Sequence, residues 1–262
     1  MLIGGLIALG LYIGTTFAFA AIVALTDRSF QVEDRDVFQA AGDIAEWSDR
    51  RLKAAAESVE LPDPPEIWAD LRSLQIGLGT TMVYQVGLIA IAGILTRQSP
   101  RELFTSFGMN RYDWRGVWRP VVALFVAYTL VVGYGAVMQA IGPDILVPQS
   151  TVPGAVVRDD LTLAMTGVLA CIAAPMAEES FFRGFMFGGL RKWGFWPAAS
   201  ISAFAFTIAH LDPGSIIPFF GIGLILAYLY RSRGTLWDSI LLHFMFNFTS
   251  FLFLAASRCT AQ

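Results

Sequence analysis

The chain is 262 residues long, with 55% hydrophobic and 15% charged residues, a net charge of −3 and a mean hydropathy of +0.58. A soluble domain carries roughly 25% charged residues, so this composition excludes a soluble globular fold, and the scattered basic residues form no stripe suited to nucleic acid. Cys171 lies inside an apolar run and Cys259 near the C-terminus, with neither disulfide-framework nor C-x-x-C spacing.

Apolar windows of about the 20 residues that span a bilayer occur in chain order at Leu2–Leu25, Ile76–Thr96, Val121–Ile141, Leu161–Leu190, Phe195–His210, Ser215–Tyr230 and Leu236–Ala256. The pattern predicts an all-α, polytopic helical membrane protein of about seven transmembrane helices. The first window has no basic n-region and is apolar throughout, so it reads as a retained anchor over residues 1–26 rather than a cleaved leader.

Residues 27–74 are the plainly polar region, with 12 acidic and 6 basic side chains between Asp27 and Leu74. Val37, Ala41, Ile44, Trp47, Leu52 and Ala55 recur there at helical spacing and predict an amphipathic helix, ended before Leu61-Pro62-Asp63-Pro64-Pro65. It reads as a solvated connector on the outer surface. Residues 75–160 then comprise two spans joined by a segment in which Phe104, Phe107, Tyr112, Trp114 and Trp118 alternate with arginines, a pattern of the headgroup layer.

Lys/Arg placement sets the orientation. Arg97, Arg101, Arg111, Arg115 and Arg119 follow the second span, Arg191 and Lys192 the fourth, and Arg231 and Arg233 the sixth, whereas the connection from Gly142 to Asp160 holds only Arg158. The N-terminus is therefore expected in the cytoplasm and the C-terminus outside.

Glu178 and Glu179 lie within the fourth span, with Arg183 four residues after Glu179. Intramembrane ionisable groups are costly and mark function. Four-residue spacing stacks Glu179 and Arg183 on one helical face, where they neutralise each other, and turns Glu178 elsewhere as a general base. Both histidines of the chain are in later apolar stretches. His210 follows Phe206 by four and ends the fifth span; helical rise puts it and Glu178 at one depth, about 20 Å from the cytoplasmic end. His243 and Asn247 share a face of the seventh span, where two donors can hold a developing oxyanion. Asp238 reads as an interfacial residue. The histidines form no H-E-x-x-H and neither lies within a turn of the glutamates, so no metal or other cofactor is expected.

Glu178-Glu179-Ser180-Phe181-Phe182-Arg183, Phe206-Thr207-Ile208-Ala209-His210 and His243-Phe244-Met245-Phe246-Asn247 fit E-E-x-x-x-R, F-x-x-x-H and H-x-x-x-N in order. Together they resemble the CAAX-processing and bacteriocin-processing (CPBP) intramembrane glutamic proteases, the type II CAAX prenyl endopeptidase or ABI family, over about Leu161 to Ala256. The resemblance implies a catalytic helical core at residues 161–257, in the C-terminal four helices. It also implies an endopeptidase in which Glu178 and His210 activate water, His243 and Asn247 stabilise the oxyanion, and Glu179 and Arg183 organise the fourth span.

The expected partners are a membrane-associated peptide or protein substrate, lipidated or carrying a C-terminal tag, and membrane lipids; the expected location is a bacterial plasma membrane. The alternative is a non-catalytic membrane scaffold or bacteriocin-immunity protein of the same fold. A proton-coupled transporter would place ionisable groups in both halves, and here they are confined to the C-terminal spans.

Overall fold

The computed structural model describes residues 46–47, 49–54, 56–57, 59, 62, 71–148, 152, 154–210 and 212–260. The expected anchor and most of the polar segment fall outside them. Within that segment, the described residues between 46 and 57 are helical, and Trp47 Nε1 donates to Pro62 O at 3.0 Å.

The described fold is helical. α1 (Leu71–Thr96) is followed by α2 (Pro100–Ser106), a 3-10 turn at Trp114–Gly116, α3 (Trp118–Ile141) and short 3-10 turns at Asp144–Leu146 and Gly154–Arg158. α4 (Asp160–Trp193) is one long rod. α5 (Phe195–Ile208), a 3-10 turn at Pro213–Ser215, α6 (Ile216–Arg233) and α7 (Trp237–Thr260) complete the order.

Among the described residues, five helical stretches are long and apolar enough to cross a membrane: Leu74–Thr96, Trp114–Ile141, Asp160–Trp193, Pro213–Arg233 and Trp237–Ser257. This differs from the expected seven. The first expected span lies outside the described residues, and α5 has only 14 residues, about 21 Å of rise against about 30 Å of hydrocarbon. The helical membrane class stands; among the described residues the count is five.

Local chemistry sets the helix ends. Ser99 caps α2 in a reciprocal capping box with Glu102, and Pro100 occupies the first turn, where its missing N–H costs nothing. The backbone N–H of Ser99 donates to the Glu102 carboxylate and holds it below the usual carboxylate range. Asp159 caps α4, accepting from the Thr162 N–H and hydroxyl at 2.8 Å each, which likewise lowers its carboxyl. Gly234, at φ +69, ends α6 in the left-handed region and donates to Tyr230 O, a conformation that side chains with a Cβ resist.

Helices in lipid associate through close packing of small residues rather than hydrophobic burial. Between α5 and α6 the fit is tight enough that a Cβ on Gly223 would meet Ala203 at 2.7 Å. Ala198, Ala199 and Ala203 are fully buried along α5. Ser202 Oγ donates to Phe182 O of α4 at 2.7 Å, and Tyr128 OH of α3 donates to Phe246 O of α7 at 2.9 Å.

At the basic end, the segment after α2 clamps the α6–α7 connection. Leu236 N donates to Phe107 O, Trp237 Nε1 to Met109 O, and Arg233 Nη2 to Asp113 O. Arg233 Nε also meets the fully buried Asp238 at 3.3 Å, which agrees with Asp238 as a residue of the helix end rather than a partner of His243. Of the aromatic residues in this segment, Trp114 and Trp118 stay 75% and 58% exposed, whereas Phe107 is buried.

Gly108, at φ +70, packs so closely on the Gly234 carbonyl that a Cβ there would overlap it. Gly108→Ala is expected to cost more than about 2 kcal/mol, because backbone strain and a backbone clash add. Thermal unfolding in detergent measures this; an unchanged Tm would mean that the clamp is loose.

Candidate active site

α4 is not α-helical throughout. It passes through π-helical geometry at Leu169–Ala173 and again at Glu179–Phe187, on either side of an α-helical stretch that contains Pro175. π-helical geometry inside α-helices recurs at functional sites. The expected pairing survives the wider turn: Arg183 Nη1 donates to Glu179 Oε1 at 2.8 Å, with both side chains fully buried.

The same carboxylate oxygen accepts a second bond, from His243 Nδ1 of α7 at 2.9 Å. Since a carboxylate only accepts, Nδ1 carries the proton. The Arg183 guanidinium lies over the Phe206 ring of α5 at 4.3 Å, a desolvated cation–π contact. The Phe206 ring also lies edge-on to His210 at 4.6 Å and to His243 at 5.8 Å. Thus Phe206, the first residue of the F-x-x-x-H pattern, touches an arginine and both histidines.

Glu178 turns away from Arg183, as expected. Its Oε1 accepts from Gln85 Nε2 of α1 at 3.1 Å. Among the described residues Glu178 Oε2 has no hydrogen-bond partner, and neither has Gln85 Oε1. His210 lies within electrostatic reach of Glu178, Arg183 and His243. Its Nδ1 meets the Phe206 carbonyl at 2.8 Å; a carbonyl only accepts, so this fixes the tautomer and leaves Nε2 with its lone pair.

A cavity of ≈ 20 Å³ for the centre of a water molecule, enough for one water, is lined by His210, His243 and Asn247 with Phe206, Phe219 and Phe246 among its apolar walls. The glutamates are not part of that wall: Glu179 reaches it through His243, and Glu178 lies toward α1. Asn247 donates through Nδ2 to Ala170 O of α4 at 2.7 Å. Three of the four expected catalytic side chains therefore share one cavity, and Glu178, on α4, lies outside its wall and within electrostatic reach of His210.

Three features escaped the sequence reading. Gln85 is the one carboxamide of the Ile76–Thr96 apolar window, and that isolation is itself a signal. The other two are the contact between His243 and Glu179, 64 residues apart, and the contacts of Phe206; neither leaves a local trace. Among the described residues no group of three or more His, Cys, Asp or Glu side chains is close enough to share a metal ion.

Removing one partner of a buried pair leaves an uncompensated charge, at a cost of about 3–5 kcal/mol. Glu179→Gln strands both Arg183 and His243, so its detergent Tm is expected to fall accordingly, and more than that of Glu178→Gln. Equal Tm values would show that Glu179 is not the structural carboxylate.

Residues 160–249 match the family model described as Type II CAAX prenyl endopeptidase Rce1-like. The chain is 33% identical over 81 residues to "Putative membrane peptidase YdiL" of Bacillus subtilis (strain 168), covering 30% of this chain and 33% of that protein. It is 35% identical over 89 residues to "UPF0177 protein YaiF" of Lactococcus lactis subsp. lactis (strain IL1403), covering 33% of this chain and 39% of that protein. The chain thus spans between a third and two-fifths of the length of these relatives. No solved structure gives a significant match. The matched segment runs from the start of α4 into α7 and contains both glutamates, Arg183, both histidines and Asn247, and over that segment the chain is similar to the Rce1-like family.

Proposed function

We propose that the protein is an intramembrane endopeptidase of the glutamic type that hydrolyses a peptide bond in a membrane-associated peptide or protein. One observation carries the reading. Two adjacent carboxylates and two imidazoles from separate helices converge in apolar sequence, and Glu179 takes the guanidinium and His243 for itself, leaving Glu178 without a cation partner among the described residues.

Charge balance supports a division of labour. Two carboxylates and one guanidinium leave an excess negative charge, which a protonated His243 cancels. An imidazolium held at Nδ1 by Glu179 offers Nε2–H as a donor to the cavity, whereas His210, neutral with Nδ1–H on the Phe206 carbonyl, offers a lone pair. In this scheme Glu178 Oε2 takes a proton from water while His210 Nε2 accepts the water's other O–H. The water oxygen bonds to the carbonyl carbon, and the carbonyl electron pair moves onto oxygen, facing His243 Nε2–H and Asn247 Nδ2–H. When the intermediate collapses, the C–N bond breaks and the proton on Glu178 passes to the leaving amine. Glu179 and Arg183 hold α4 and His243 in register, and Gln85 sets the Glu178 carboxylate. The reading includes the basic loops and N-terminus on the cytoplasmic side of a bacterial plasma membrane, and the catalytic helical core at residues 161–257.

Cells carrying wild-type protein or Glu178→Gln are compared for new peptide termini in the membrane proteome. Termini present in wild type and absent from the variant are expected, since Gln keeps the shape of Glu but not its basicity; identical sets would overturn the reading. On a peptide spanning such a cleavage, Gln85→Leu is expected to lower kcat by roughly 10- to 100-fold with little change in KM, because it frees the base without touching substrate. Cleavage of the same peptide is expected to persist in excess chelator. Loss on chelation, restored by zinc, would identify a metallopeptidase instead.

A further inference from the structure

We propose that Pro175 is a positioning residue that sets the orientation of the Asn247 carboxamide by leaving a backbone carbonyl for it to bind. The catalytic part of this inference rests on the peptidase reading above.

The cause lies in the first π-helical turn of α4. Ala174 N–H donates to Leu169 O, five residues back. The next rung of that ladder would run from residue 175 to Ala170 O, but Pro175 has no N–H to give. A carbonyl without a donor is costly where no water is at hand, and every backbone group in a bilayer must be satisfied internally. The donor comes from another helix: Asn247 Nδ2 meets Ala170 O at 2.7 Å across 77 residues of sequence.

That bond settles which way the carboxamide faces. An asparagine amide can rotate to exchange oxygen and nitrogen, and oxygen facing an oxyanion would repel it. The Ala170 carbonyl accepts and never donates, so it selects the rotamer with Nδ2 turned toward α4. The amide is planar, so one N–H bound to Ala170 O fixes the direction of the other. Asn247 and His243, one turn earlier on α7, both line the cavity. A missing backbone donor on the glutamate helix therefore locks the donor group of a different helix.

Replacing Pro175 with alanine restores an N–H. Whether the turn stays π-helical or tightens to α-helical, Ala170 O then receives a backbone donor, and Asn247 loses its hold. Alanine is a better helix residue than proline, so Pro175→Ala is expected to unfold at the same or a higher temperature, which separates positioning from simple loss of structure.

The test is a double-mutant cycle in purified protein, combining Pro175→Ala with Asn247→Ala, and with Asn247→Leu as a second truncation. In the wild-type background each Asn247 variant is expected to lower the detergent Tm by roughly 2–4 °C, and in the Pro175→Ala background by less than half as much. On a peptide cleaved by the wild type, Pro175→Ala alone is expected to lower kcat about tenfold at unchanged KM, with Tm kept. Equal Tm losses in both backgrounds would overturn the link. A coupled Tm cycle with undiminished kcat would overturn positioning and leave the bond as scaffolding. Failure of the peptidase reading shows separately, as hydrolysis that Glu178→Gln leaves intact. The Tm cycle needs no substrate, and in that event a coupled cycle still upholds Pro175 as the residue that sets Asn247, while an uncoupled one overturns it.

Discussion

The Glu179 carboxylate joins the parts of this protein that matter most to one another. A single oxygen accepts from Arg183 on its own helix and from His243 on α7, in surroundings where an unpaired charge would be prohibitively expensive. The contact fixes the rotation of α4 about its axis. With Glu179 turned toward α7, Glu178 must turn toward α1, where Gln85 receives it. The two neighbouring carboxylates thus acquire different surroundings from one geometric cause.

Phe206 makes that arrangement possible at close quarters. Its face receives the guanidinium and its edges meet two imidazoles, so an apolar ring separates three basic side chains without admitting solvent. The tight α5–α6 packing brings the ring in from one side, and Ser202 on the same helix bonds to the α4 backbone. Apolar packing and polar contacts are parts of one device here, because close helix approach is what lets side chains from α4, α5 and α7 reach one another.

Much of this was legible in the chain. The apolar windows gave the α1, α3, α4, α6 and α7 spans, and the four-residue spacings placed Glu179 with Arg183 and sent Glu178 elsewhere. Other features were not legible, for physical reasons. A π-helical turn differs from an α-helical one by less than a residue, which hydrophobic periodicity cannot resolve over so few positions. The contacts of Glu178 with Gln85 and Glu179 with His243 bridge 93 and 64 residues and depend on helix rotation, which is settled by packing. The shortness of α5 also escaped, because its apolar run continues through Ile208 and Ala209 although the regular helix ends at Ile208.

That short helix bears on water supply. An element of 14 residues falls about 9 Å short of the hydrocarbon thickness, and a bilayer responds to such hydrophobic mismatch by thinning beside it. The turn that carries His210 follows at once, and His210 lines the cavity. Thinning of that kind brings the aqueous phase nearer to an imidazole with an open lone pair. For the proposed hydrolysis, water is a reactant that the surroundings exclude, and a truncated helix is a way to bring it in without opening a channel.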